Sequence, residues 1–172
     1  MRYILCIPLL LLAACGSSPG AESKTGPAFE LPAGPLVDDA LTNTIIGTWE
    51  SHSLSITMPT HGGSDSTFFL RITPENWQAE MGTRPIKTWF LANGEYYAEY
   101  YDLQGNLINR PRGYWGVDGN ILMYDEQEPA QNRFFQEVLY LEKDLFQFSF
   151  TMDYDGDGEA DDIAVGVSRK LE

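Results

Sequence analysis

The chain has 172 residues, about one domain's worth, and its 43% hydrophobic and 13% aromatic content is enough for a real core. A formal net charge of −14, with Lys and Arg scattered singly, excludes a nucleic-acid partner, because a phosphate backbone needs a basic patch. The same charge disfavours direct adhesion to an anionic lipid surface.

The first element is a leader. "MRYILCIPLLLLAAC" has a positive start at Arg2, an apolar stretch from Tyr3 to Leu12, and small residues before a cysteine. That is the pattern of a secretory signal, and its apolar run is too short to span a bilayer as a helix. The ending Leu12-Ala13-Ala14-Cys15 resembles the lipobox of bacterial lipoproteins. The resemblance implies a signal peptide over residues 1–14, cleavage before Cys15, a diacylglycerol on the Cys15 sulfur and an acyl chain such as palmitate on its new amine. Two or three acyl chains make a stable membrane anchor, since each buried CH2 contributes about 0.8 kcal/mol. Cys6 leaves with the leader and Cys15 is blocked, so thiol catalysis is excluded from the mature domain. Residues 15–43 are rich in Gly, Pro, Ser, Ala and Thr without apolar periodicity, and read as a flexible tether. Gly16, rather than Asp, follows the cysteine. In a Gram-negative cell the resemblance then implies an outer-membrane location facing the periplasm.

From Thr44 to Glu172 the chain is strand-like. "TIIGTWESHSLSITM", "STFFLRIT" and "NWQAEM" come first, with Pro74 between the last two. "IKTWFLA" and "EYYAEYYD" flank Asn93-Gly94, the strongest short-range signal for a tight hairpin with positive φ at both turn positions. "RGYWGV", "ILMYDE", "RFFQEVLYLEK", "LFQFSFTM" and "DIAVGVSRK" follow. In "LFQFSFTM", Phe146, Phe148 and Phe150 share one face, and Gln147, Ser149 and Thr151 the other. No window predicts a helix beyond a turn around "PLVDDALTN". Roughly nine or ten short strands indicate an all-β barrel or sandwich.

"IIGTWES", "LANGEYY", "GYWGVDGNIL" and a basic last strand together resemble the small bacterial lipocalin-like domains. The resemblance implies an antiparallel up-and-down β-barrel of about 8–10 strands. It also implies that Gly47 and Trp49 plug one end, with Arg169 across the indole ring and Lys170 as the alternative. A cation over an indole gains cation–π energy, and the Trp buries a large area. By the same resemblance the barrel holds a small hydrophobic ligand, lined by Trp89, Tyr96, Tyr100, Trp115 and Tyr124. The alternative role is a structural or interaction protein, such as an assembly factor or inhibitor, that binds another envelope component by its surface.

No catalytic constellation stands out. His52 and His61 read as isolated surface histidines, and there is no Gly-x-Ser-x-Gly elbow, His-Glu-x-x-His motif or Gly-Lys-Ser/Thr phosphate loop. Binding, not catalysis, is the expectation.

One motif remains. "DYDGDGEADD", residues 153–162, places Asp153, Asp155 and Asp157 at alternate positions, then Gly158, Glu159, Asp161 and Asp162. Calcium needs six to eight oxygens, which a sharply reversing chain supplies from alternate side chains and a backbone carbonyl. The first nine positions resemble an EF-hand loop and the calcium loops of thrombospondin-type repeats and integrin-type propellers. Ala164 stands where an EF-hand has its twelfth-position Glu, and the flanks are strands. The reading is a structural calcium site in the last hairpin, its shell completed by Asp161 or Asp162. Acid-rich turns also form without metal, since Asp and Gly favour turns.

Overall fold

The computed structural model describes residues 39–61 and 64–171; the expected leader, Cys15 and most of the expected tether lie outside the described residues. The fold is all-β with two short helices, and eight of its strands close into an antiparallel up-and-down barrel. Helix α1 (Asp39–Ile45) precedes β1 (Gly47–Met58) and β2 (Phe68–Ile72). Helix α2 (Trp77–Met81) then leads to β3 (Lys87–Phe90), β4 (Glu95–Tyr101) and β5 (Leu107–Asn109). The remaining strands are β6 (Arg112–Asp118), β7 (Ile121–Glu128), β8 (Asn132–Leu141), β9 (Leu145–Met152) and β10 (Asp162–Leu171). The order runs β10-β9-β8-β7-β6-β4-β3-β1, and β1 closes the ring by pairing with β10.

Strand β1 serves two partners along one edge. Its first residues, Gly47–Glu50, pair with β3, whereas Leu54–Met58 pair with β2. A register shift between Ser51 and Ser53 bends the strand, as a bulge does, and lets one strand span both neighbours. Strand β2 and helix α2 are thus an insertion at the end of the barrel where β1 finishes.

The other end is filled. Ile45 of α1 joins Trp49, Phe90, Trp115, Leu122 and Phe146 in one buried cluster. Leu41, one turn before Ile45, packs against it, so α1 extends the folded unit ahead of Thr44, the start expected from strand character alone. The Trp49 indole N–H donates to Ile45 O at 2.6 Å, and its ring meets Phe146 edge-on at 5.7 Å. Lys170, not Arg169, crosses the indole. Its Nζ lies 5.1 Å from the ring centroid and donates to Thr44 O at 2.9 Å. The reason is the two-residue alternation of β10. Lys170 is in register with Trp49, while Arg169 is opposite Glu50 and exposed. Gly47 makes room for this crossing. Its φ of 136° suits glycine, and a Cβ there would fall 2.5 Å from Lys170 Cε.

Two local expectations are corrected. "NWQAEM" forms helix α2 rather than a strand. Asn76 ties the preceding turn by accepting from Thr73 N at 2.6 Å and donating to Arg71 O at 3.1 Å. Gly82, at φ 65°, then ends the helix by donating to Gln78 O. The Asn93-Gly94 hairpin forms, but only Gly94 has positive φ. Leu91 N donates to Glu95 O and Gly94 N to Leu91 O, a three-residue loop in place of the two-residue turn.

Gly113 is a steric requirement of the barrel wall. A Cβ there would meet Asp125 O at 2.1 Å, within the β6–β7 ladder. Gly113→Ala is therefore expected to lower stability by about 1–3 kcal/mol, the usual cost of overpacking. A thermal melt checks it, and a Tm within a degree of wild type would show that the ladder can shift to make room.

Candidate functional site

Above the filled end the barrel contains a cavity of about 170 Å³. Its floor is Trp49, Phe90 and Phe146, and its walls include Phe148 and Phe150 from β9, Tyr100 from β4 and Tyr124 from β7. Ser51, Thr88, Gln136 and Ser168 add polar atoms, and Trp77 and Met81 of α2 complete the lining. No charged side chain lines it among the described residues. The three phenylalanines of β9 follow from strict alternation along that strand, which turns every second side chain inward.

The five aromatics singled out from sequence separate. Tyr100 and Tyr124 line the cavity. Tyr96 is buried beside them, its ring 5.1 Å from that of Tyr124 and its hydroxyl 3.5 Å from Glu126 Oε2. Trp115 belongs to the filled end, donating its indole N–H to Leu91 O at 3.0 Å and meeting Phe90 edge-on. Trp89 is on the outer face. It stacks on Tyr97 at 4.6 Å, and Arg110 lies 5.2 Å over Tyr97. The inward partners on β3 are its neighbours Thr88 and Phe90. Burial raises the pKa of Tyr100 and Tyr124, with neighbouring Glu126 adding to the effect at Tyr100. Both hydroxyls thus stay protonated donors at neutral pH. Tyr124 donates to Gln136 Oε1 at 2.8 Å. Burial likewise raises the pKa of Glu126.

The acidic segment joins β9 to β10. One carboxylate oxygen from each of Asp153, Asp155 and Asp162 lies within 4.8 Å of the others. That span matches the diameter of a calcium–oxygen shell, about 4.6–5.2 Å, and all three are hard oxygen donors. Asp162 is buried, Asp155 is half-buried as a residue with its side chain 2% exposed, and Asp153 is exposed. Asp157 and Asp161 stand outside the triad, each accepting from Thr60 Oγ1, at 3.4 and 3.2 Å. Glu159 is exposed, and its backbone N–H donates to Asp157 Oδ1 at 2.8 Å.

Backbone donors meet part of the negative charge. Asp153 accepts from Gly156 N and Gly158 N, and Asp162 from Tyr154 N and Asp155 N. An ionised carboxylate offers about four lone-pair sites, so these bonds leave acceptor capacity for an ion. His61 is not isolated. Its Nδ1 is 3.4 Å from Asp155 Oδ2, and its ring stacks on Phe68 at 5.0 Å. Sequence reasoning missed Thr60 and His61 because the β1–β2 loop, some 97 residues away, reaches the acidic loop only through the pairing of β1 with β10. It also missed Trp77, which lay in a segment read as a strand.

No protein-family model matches the chain, and no curated protein sequence matches it.

Proposed function

We propose that this chain is a lipid-anchored protein of the bacterial envelope, held at the outer membrane through Cys15, whose barrel binds a small, mainly apolar molecule without transforming it. The observation that carries the reading is the uncharged, aromatic-rich cavity of about 170 Å³ inside the barrel. A dry cavity of about 150 Å³ accommodates benzene, whereas drug-sized ligands need about 300–1,000 Å³. The ligand is thus of single-ring size or a short chain, not a whole lipid. Lipidation at Cys15 places the barrel at a membrane surface, where apolar molecules concentrate.

In the same reading calcium binds at Asp153, Asp155 and Asp162 and fixes the last hairpin. Its chemistry there is charge neutralisation, and its role is structural.

A second reading, attachment of another envelope component to the outer surface, is favoured by one row of side chains. Phe69 of β2 and Ile163 of β10 both sit opposite Thr57 of β1, and they are 71% and 46% exposed.

Ligand-detected NMR with toluene separates the two. The wild-type chain is expected to give saturation transfer to toluene. Thr88→Phe, which extends a ring from β3 into the cavity, is expected to abolish it. Absence of transfer in the folded wild type would favour the surface reading.

A further inference from the structure

Among the groups that line the cavity, one fully buried nitrogen donor is left without an acceptor. The indole of Trp49 has its acceptor in Ile45 O, and the hydroxyl of Tyr124 has Gln136. Trp77 has none. Its side chain lines the cavity from α2, the residue is 3% exposed, and Nε1 has no hydrogen-bond partner among the described residues. A buried donor without an acceptor disfavours its state by a factor of about 5 to 150 in equilibrium constant. Native structures rarely carry such a group without a reason.

The surroundings narrow what can satisfy it. The cavity lining carries no cation to neutralise an anionic ligand, and the carboxylate of Glu126 stands near Tyr100 on the wall. An anionic acceptor is therefore disfavoured. Phe148 and Phe150 supply ring faces, and the volume of about 170 Å³ admits one ring with a short substituent.

We propose that Trp77 is the polar anchor of the cavity, donating its indole N–H to the oxygen of a neutral single-ring ligand such as an aromatic ketone or aldehyde. The inference rests on the ligand-binding reading of the barrel and names the chemistry of its ligand. It gives α2 a role as well. The inserted helix lines the cavity and also brings a buried donor that distinguishes an oxygenated ring from a hydrocarbon of the same shape.

The test uses two probes of one shape, acetophenone and α-methylstyrene, which differ by C=O against C=CH2. The full chain carries four tryptophans, so 15N labelling gives four indole N–H resonances, and the one lost in Trp77→Phe belongs to Trp77. Acetophenone is expected to move the Trp77 indole proton downfield, and α-methylstyrene is not. The ratio of acetophenone to α-methylstyrene affinity is expected to fall about tenfold in Trp77→Phe, the worth of one satisfied buried donor. An unmoved Trp77 resonance, or an unchanged ratio in a folded variant, would overturn the proposal while leaving the cavity a binding site. If neither probe binds the wild type, the ligand-binding reading falls and this inference with it. Should Trp77→Phe not fold, sequential assignment of the labelled wild type identifies the Trp77 indole, and its shift decides.

Discussion

Trp49→Ala is expected to destabilise the barrel by about 3–5 kcal/mol, seen as a lower denaturant midpoint at an unchanged slope. Most of the loss is volume. The side chain is 1% exposed and sits where α1, β1 and β10 converge, so little can collapse into the space it leaves. A smaller share is polar. Removing the indole strands Ile45 O, to which it donates at 2.6 Å, and takes the ring from beneath Lys170. Trp49→Phe separates the two, because it keeps much of the apolar area and loses the N–H. Its expected cost is nearer 1–2 kcal/mol. Arg169→Ala is the control. That side chain is exposed on the outer face, so its removal is expected to stay within about 0.5 kcal/mol of wild type. A Trp49→Ala loss below about 1 kcal/mol would mean that Trp49 is not the plug of this barrel end.

The pair Lys170 and Arg169 also shows where sequence reasoning stops. The resemblance read from the sequence implies a basic residue near the end of the last strand, but two adjacent basic residues point to opposite faces, and a slip of one position reverses which is inside. Only the register of β10 on β1 decides it. Trp89 poses the same problem. "TWF" offers two large aromatics in succession, and aromatic character does not say which of Trp89 and Phe90 is inward. In "LFQFSFTM" the alternation of Phe with polar residues removes the ambiguity, and those three rings do face the cavity.

Helix α2 was illegible for a different reason. Five residues are too few for a helical period to emerge, and Trp and the β-compatible flanks mimic a short strand. Its signals were Asn76 and Gly82, a turn residue and a left-handed stop, which in isolation mark any loop. The acidic loop was legible as a composition and as a spacing. Its partition was not. Alternation suggested Asp157 with Asp153 and Asp155 and left Asp161 or Asp162 to complete the shell; the cluster leaves out Asp157 and takes Asp162, because the first residue of β10 is buried beneath the loop.

That partition makes the calcium proposal sharply testable. Adding calcium to the metal-free chain at about one hundred times Kd is expected to contribute about 2.7 kcal/mol of stability, a Tm rise on the order of 10 °C. Chelation is expected to reverse it. Asp155→Asn keeps the shape and an oxygen acceptor for Asp157 N, but it removes one charge from the triad, so the calcium-dependent rise is expected to shrink to within a few degrees. Asp157→Asn lies outside the triad, beside Thr60, and is expected to retain most of the rise. The contrast between these two variants separates a site from general screening. Ions that merely screen a chain of net charge −14 act on every carboxylate alike, and magnesium would then serve as well as calcium. Equal loss in both variants, or an equal rise with magnesium, would reduce the loop to a hydrogen-bonded turn, held by its backbone donors, Thr60 and His61.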